Sequence, residues 1–254
     1  MPLTVKFAYA GSIFEVKPTI EHSTYSSCLG FVQYETDYEY GRIEHNLRLV
    51  ISWKVLSEQI PNLSIEELKQ LGYLLSGESE PVVIIAEIFV KEYPARWRQN
   101  MGICWSEWLS RFDEDSKAIG IRADEVAVNA LYGNALNEGS VYILDRLDVH
   151  PKFRGQRIGM HLCRYVLEIV PKCSSDMIFL LADPIDSKYE NGNSNCITDL
   201  NRLAEYYAAA GFSFVRIQPD EQILMEAGVS PKVSDVMPLS TIVLSSRFSA
   251  AAGI

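Results

Sequence analysis

The stretch over residues 141–170 limits what this chain can fold into more than any other. Residues 141–149, VYILDRLDV, are dense in β-branched and apolar side chains and predict a buried strand. Pro151 ends that strand, because proline cannot continue a central ladder. An amphipathic helix is predicted over residues 158–170, before Pro171. The apolar residues that recur there at helical spacing are Ile158, Leu162, Tyr165, Val166 and Ile169.

The turn between this strand and this helix contains two arginines and two glycines. The first turn of a helix leaves four backbone N–H groups without partners and carries partial positive charge. A phosphate or pyrophosphate is the natural ligand of such a position. Gly155 and Gly159 allow a ligand or another backbone to approach closely. Arg154 and Arg157 add positive charge to an otherwise acidic chain.

These residues resemble the acyl-CoA-binding motif of the GNAT N-acetyltransferase superfamily. The family pattern is Arg or Gln, two residues, Gly or Ala, one residue, then Gly or Ala. Arg154 opens it and Gly159 closes it, and Arg157 departs from it at the inner small position. A second stretch, residues 200–212, is similar to the family's helix that ends in Tyr-x-x-x-Gly-Phe. Its matching residues are Tyr207, Gly211 and Phe212, so that the resemblance covers about residues 141–215.

The resemblance implies an acyl-CoA-dependent N-acetyltransferase that uses acetyl-CoA as cosubstrate, without a metal. The acceptor is an amine of a small molecule or a protein. The implied fold class is α/β: a mixed, mostly antiparallel sheet with flanking helices and a parallel, splayed strand pair. Here an elaborated β-rich N-terminal region is added. The residues expected to bind the cosubstrate are Leu147, Asp148, Val149, Arg154, Gly155, Gln156, Arg157, Ile158 and Gly159.

Acetyl transfer from a thioester to an amine needs a polarised carbonyl, a neutral amine and a proton for the leaving thiolate. The resemblance implies that backbone N–H groups of residues 147–149 polarise the carbonyl. It also implies Tyr207 as the general acid, since a phenol with a pKa near 10 stays protonated. The alternative is that Tyr207 is a packed aromatic beside Tyr206, which points about 100° away on a helix.

The general base is left open by the sequence. Asp145 lies on the same strand face as Leu147 and Val149 by alternation, and is the first candidate. Asp183 follows the next strand and is a second candidate, and a base acting through water is a third. Each carboxylate, taken alone, is equally explained as a solvated or salt-bridged acid.

Composition bounds the partners and the compartment. The formal net charge of −10 and the pI of about 5.0 argue against nucleic acid or an anionic membrane as the main partner. The five scattered cysteines form no C-x-x-C pair and fit a reducing cytosol. No signal peptide is visible, and the longest apolar run, residues 82–90, is too short to span a bilayer. We therefore expect a cytoplasmic protein, with a homodimer kept as an alternative.

The remaining elements predict a mixed α/β chain with three parts. The parts are residues 1–77 (β-rich, role unknown), 78–229 (the GNAT-like domain) and 230–254 (a C-terminal extension). Strands are predicted over 3–9, 12–17, 29–38, 46–56, 82–91, 177–182, 212–217 and 222–227. Helices are predicted from Ser64 to about residue 75, within 95–117 and over 199–210. Residues 123–132 fit a helix and a strand equally, and 183–198 form a long polar loop.

Two hypotheses compete with the enzyme. The first is a catalytically silent acyl-CoA-binding or regulatory protein, which Arg157 in the motif favours. The second is a toxin-like enzyme that acetylates aminoacyl-tRNA, against which the acidic composition argues. Two interpretations are also open for Trp105 and Trp108: they pack in the core, or they form a wall of the acceptor pocket.

Overall fold

A computed structural model describes residues 3–26, 41–60, 63–75, 81–133, 135–182, 196–218 and 222–228. The predictions for 29–38, for 230–254 and for most of the loop 183–198, including Asp183, lie outside these residues. The chain divides into two compact units, Met1–Tyr93 with Leu144–Glu168, and Pro94–Ile143 with Ile169–Ile254. The division into residues 1–77, 78–229 and 230–254 stays a prediction.

The first unit is built on antiparallel strands. Its complete elements are β1 (Val5–Tyr9), β2 (Ser12–Val16), β3 (Thr19–Ser26), β4 (Ile43–Ser52), α1 (Trp53–Gln59), α2 (Ile65–Leu71), β5 (Tyr73–Leu75) and β6 (Val82–Tyr93). It also contains the part of β7 (Val141–Val149) that begins at Leu144 and the part of α6 (Ile158–Ile169) that ends at Glu168. β1 and β2 pair antiparallel as a hairpin of their own, which confirms the strands predicted over 3–9 and 12–17. β3, β4 and β6 pair antiparallel in that order, β5 pairs with β6, and β7 lies next to β6.

The second unit contains the parallel strand pair. Its elements are α3 (Ala95–Met101), α4 (Trp105–Leu109), α5 (Glu114–Val128), the first residues of β7, β8 (Met177–Ala182), α7 (Cys196–Ala210), β9 (Ser213–Ile217) and β10 (Ile223–Gly228). β7 pairs with β8 in parallel over Val141–Met177, Tyr142–Ile178 and Ile143–Phe179. β8, β10 and β9 follow antiparallel. The mixed α/β fold, mostly antiparallel with one parallel pair and flanking helices, is confirmed.

Two sequence predictions for the first unit were wrong at their ends. The strand predicted over 46–56 stops at Ser52, whose side chain accepts a hydrogen bond from Val55 N–H and caps α1. The helix predicted to about residue 75 starts after Ser64, with a complete capping box, but ends at Leu71. Gly72 then lets β5 lie against β6, since a Cβ there would stand 2.6 Å from Ile84 O. The first error arises from a local side-chain cap, and the second arises where tertiary strand pairing overrides a local pattern.

Residues 123–132, for which the sequence fits a helix and a strand equally, are helical. α5 continues through Val128 and a short 3₁₀ turn follows at Ala130–Tyr132. α5 packs closely on α4, because a Cβ on Gly120 would stand 2.8 Å from Ser106 Cα. Trp105 and Trp108 are 0% and 1% exposed, and their rings stack at 5.8 Å. The core-packing interpretation of these two tryptophans is therefore the one that the structure supports.

A buried ionic network ties α5 to β10 in the second unit. Arg122 Nε and Nη2 donate to the two carboxylate oxygens of Glu226, at 2.8 and 3.0 Å. The Tyr132 hydroxyl donates to Glu226 Oε1 at 2.8 Å. Burial, followed by this carboxylate, raises the pKa of Tyr132 to about 12. Glu226 is 5% exposed, so removal of its charge leaves Arg122 without its main partner.

We expect Glu226→Gln to lower the free energy of unfolding by about 3 kcal/mol, because breaking a buried pair leaves an uncompensated charge. Urea unfolding followed by circular dichroism measures the loss. The matched control is Glu107→Gln, which breaks the exposed pair between Glu107 on α4 and Arg111 just beyond it and should cost less than about 0.5 kcal/mol. Equal losses in the two variants would contradict a special role for the buried network.

Candidate functional site

The end of β7 is held firmly where the arginine- and glycine-containing turn begins. His150 N–H donates to Ile85 O at 2.9 Å, which ties the chain to β6 just beyond the strand. A 3₁₀ turn, Pro151–Phe153, follows and buries Phe153 completely. Arg154 Nε then donates to Val149 O at 3.0 Å. The turn that follows therefore starts from a fixed position.

The backbone φ angle changes sign from one residue to the next over residues 155–157. Gly155 has a φ of 80° and Arg157 a φ of 59°, whereas φ of Gln156 is not positive. Alternation of this kind turns N–H groups to one side and forms an anion-binding concavity. Within the described part of the chain, the N–H groups of residues 155–159 donate to no acceptor. We name residues 154–159 the anion loop.

The anion loop leads directly into α6. Ile158 and Gly159, the first two residues of the helix, are buried. The helix dipole adds partial positive charge at this end. Arg154, Arg157 and Lys152 are exposed around the loop and add full positive charges. This arrangement suits an anionic ligand group such as a phosphate or a pyrophosphate.

The side chain of Gln156 is bound within the protein. Its side-chain amide is bound to the backbone of Lys6 in β1, with Lys6 N–H donating to Oε1 at 2.8 Å and Nε2 donating to Lys6 O at 2.6 Å. Only the backbone of Gln156 is therefore open to a ligand. No sequence signal points to this contact, because the two residues are 150 positions apart.

Asp145, the candidate base, lies in the same unit as the anion loop and is ion-paired. Lys91 on β6 donates from Nζ to Asp145 Oδ1, and the Asp145 side chain is 42% exposed. Next to this pair, Arg146 Nη2 donates to Glu87 Oε1 at 3.0 Å and lies over the Phe89 ring. The sequence contained a signal for these partners, since Glu87, Phe89 and Lys91 alternate with apolar residues along β6.

The other residues predicted at the end of β7 are half-buried. Leu147, Asp148 and Val149 all belong to this class. Asp148 Oδ2 accepts a hydrogen bond from the Tyr73 hydroxyl at 3.2 Å. Burial and then the charge of Asp148 raise the pKa of Tyr73, which keeps this phenol protonated. Sequence reasoning missed Tyr73, because its segment was predicted to be helical.

His150 adds a neutral imidazole beside these groups. Its ring meets Tyr73 edge to face at 5.3 Å. Burial and then the charge of Lys152 lower the pKa of His150, so the ring is uncharged at neutral pH. Its Nδ1 is buried and has no hydrogen-bond partner among the described residues.

Tyr207 lies in the second unit, on the last turns of α7. Its carbonyl accepts hydrogen bonds from Gly211 N–H and Phe212 N–H, both at 3.1 Å. Its half-buried ring packs edge to face on Tyr206 at 5.4 Å and on Phe212 at 6.0 Å. The Tyr-x-x-x-Gly-Phe motif is therefore a helix C-cap that fixes the backbone of Tyr207, with Gly211 at a φ of 120°.

Of the predicted site residues, the structure brings Asp145, Leu147, Asp148, Val149 and the anion loop into one unit. Tyr207 belongs to the other unit. Among the described residues, no group of three or more His, Cys, Asp or Glu side chains is arranged to hold a metal ion. None of the helices in the described ranges is long and apolar enough to cross a membrane.

A comparison with known protein families finds a match in the part of the chain that contains the anion loop. Residues 82–186 match the model of the acetyltransferase (GNAT) family. The match runs from β6 to just past β8, and so includes β7, the anion loop and α6. A search of curated proteins finds no match to the chain.

The positive φ of Arg157 leads to a stability prediction. An arginine in the left-handed region is strained, whereas glycine adopts it freely. We expect Arg157→Gly to raise the free energy of unfolding by about 1 kcal/mol, measured by urea unfolding. Lys152→Gly removes a neighbouring exposed cation from a turn where φ is not positive, and should lower stability by about 0.5 kcal/mol. Destabilisation by both substitutions would show that Arg157 is not strained.

Proposed function

We propose that this protein is an acyl-CoA-dependent N-acetyltransferase, because residues 82–186 match the model of the acetyltransferase (GNAT) family. It moves an acetyl group from acetyl-CoA to an amine acceptor by direct attack of the amine. The observation that carries the proposal is the anion loop, in which the N–H groups of residues 155–159 have no acceptor among the described residues and lie at the start of α6 inside the matched region.

The anion loop binds the pyrophosphate of the cosubstrate. Backbone N–H groups of residues 155–159 supply the hydrogen bonds, and Gly155 and Gly159 keep the approach open. Arg154 and Arg157 neutralise the charge. Replacement of the family's inner small residue by Arg157 leaves this site intact, because the backbone of Arg157 has the left-handed conformation that a glycine would take.

Backbone groups of residues 147–149 hold the pantetheine arm and polarise the thioester carbonyl. N–H groups aimed at an oxygen on which negative charge develops lower the barrier without reorganising. The bound thioester supplies the activated acetyl group, and its carbon–sulfur bond breaks as the new carbon–nitrogen bond forms. The half-burial of Leu147 and Val149 leaves this strand end accessible.

Two side chains manage the protons. Asp145 takes the proton of the incoming amine, directly or through water, since its carboxylate is partly exposed and held in place by Lys91. Tyr207 gives a proton to the departing thiolate, and its backbone is fixed by the C-cap of α7. The competing proposal, a silent acyl-CoA-binding protein, shares the pocket and differs only in the absence of turnover.

Gly159→Glu should abolish CoA binding, because it places bulk and negative charge where the pyrophosphate is bound. Calorimetric titration with acetyl-CoA and with CoA measures the loss. Arg164→Glu introduces the same side chain on an exposed position of α6 and should retain CoA binding. Unchanged CoA affinity in folded Gly159→Glu protein would refute the assignment of the anion loop.

Tyr207→Phe should lower turnover about a hundredfold with little change in CoA affinity, because only the proton donor is lost. Thiol released from acetyl-CoA in the presence of amine acceptors measures turnover. Tyr206→Phe removes the hydroxyl of the neighbouring ring and should behave as wild type. Equal turnover in both variants would remove Tyr207 from the mechanism, and absence of turnover in the wild type across amines would favour the silent binding protein.

A further inference from the structure

The amide of Gln156 is bound at both ends by one residue of β1. Lys6 N–H donates to its oxygen and its nitrogen donates to Lys6 O. A side-chain amide carries the same donor and acceptor as a peptide group, so Gln156 continues the edge of β1 as a strand neighbour would. Both bonds together fix the orientation of the side chain as well as its distance from the hairpin.

The clamped residue stands between the two residues with left-handed backbones. Gly155 precedes Gln156 and Arg157 follows it, with φ values of 80° and 59°. A non-glycine residue in this region persists only where its surroundings hold it. Gln156 is the residue of this triplet whose side chain bonds to another element, so its clamp opposes relaxation of Arg157.

A second contact joins the hairpin to the turn before the anion loop. Phe7 of β1 and Phe153 are 4% and 0% exposed, and their ring centroids are 6.0 Å apart. Lys6 and Phe7 therefore hold the chain on both sides of Arg154 and Gly155. One contact is polar and directional, and the other is apolar.

The hairpin is itself anchored on its far side, so that it provides a fixed support. The Tyr9 hydroxyl donates to Glu67 Oε1, and the same carboxylate completes the capping box of α2. Gln59 Nε2, at the end of α1, donates to Glu15 O at 3.1 Å. Helices α1 and α2, the hairpin and the anion loop thus form one connected chain of contacts within the first unit.

We infer that the β1–β2 hairpin is a positioning element for acyl-CoA binding, which holds the anion loop in its binding conformation through the Gln156–Lys6 clamp. The inference rests on the proposed function, because it assigns the loop to the pyrophosphate. Gln156 acts through its neighbours: the clamp aims the N–H groups of residues 155–159 before the ligand arrives, so less ordering is needed on binding. The hairpin precedes the matched region 82–186, so this support lies outside it.

Gln156→Met tests the clamp, because methionine has nearly the same length and no amide. The probes are CoA, which contains the pyrophosphate, and S-acetylpantetheine, which lacks it. We expect CoA affinity to fall about tenfold on loss of two hydrogen bonds of ordinary strength, while the affinity for S-acetylpantetheine stays within about twofold. A general structural defect would lower both affinities.

Gln99→Met is the matched control. Gln99 Nε2 donates to Asn137 O at 2.7 Å in the second unit, so this variant also loses a glutamine side-chain bond to a backbone carbonyl. It should bind both probes as wild type does. Titration calorimetry measures the affinity of wild type, Gln156→Met and Gln99→Met for both probes. The three proteins are compared under conditions in which the same fraction of each is folded.

The outcomes separate the clamp from the function. If wild type binds CoA and Gln156→Met binds it equally well, the clamp has no role in binding and the inference is overturned while the proposed function stands. If both probes weaken equally in Gln156→Met, the effect is structural and the inference also fails. If wild type binds no CoA, the proposed function fails first, and the inference fails with it.

Discussion

Free backbone N–H groups at the start of α6 are the constraint on which the rest of this site depends. The sign of φ alternates over residues 155–157, and the N–H groups of residues 155–159 have no acceptor in the described part of the chain. Such groups require water or an anion, and their geometry survives only if the chain on both sides is held. The contacts of His150, Phe153, Arg154 and Gln156 hold the chain in this way.

The strand face beside this loop carries charges that neutralise one another. Lys91 pairs with Asp145 and Arg146 pairs with Glu87, across β6 and β7. These pairs are partly exposed, so their contribution to stability is small and their side chains remain accessible to a ligand. By contrast, the Arg122–Glu226 pair is buried. Tyr132 donates a further hydrogen bond to Glu226 and Glu125 pairs with Arg122, which suits a structural role. Exposure thus distinguishes charges suited to binding from charges that stabilise.

Two element boundaries differ from the sequence predictions. The pattern over 46–56 predicts a strand through Trp53, whereas Ser52 caps a helix there. The helix predicted from Ser64 to about residue 75 includes Tyr73, whereas Tyr73 pairs with Ile84 in β5–β6. The side chain of Gln156 makes a contact with Lys6 that no local pattern predicts. Strand pairing thus overrides local propensity at Tyr73, whereas a local side-chain cap ends the strand at Ser52.

The sequence by itself determined the central strand, the turn and the helix that follows, because these depend on short-range pattern: β-branched residues, then Pro151, then apolar residues at helical spacing. It also determined the end of the helix predicted over 199–210 and the mixed α/β class. Only the tertiary structure decided that Arg157 adopts a left-handed backbone, that Asp145 is paired with Lys91, and that an N-terminal hairpin clamps the anion loop. These depend on residues 54 to 150 positions apart meeting in space, and no local pattern carries that information.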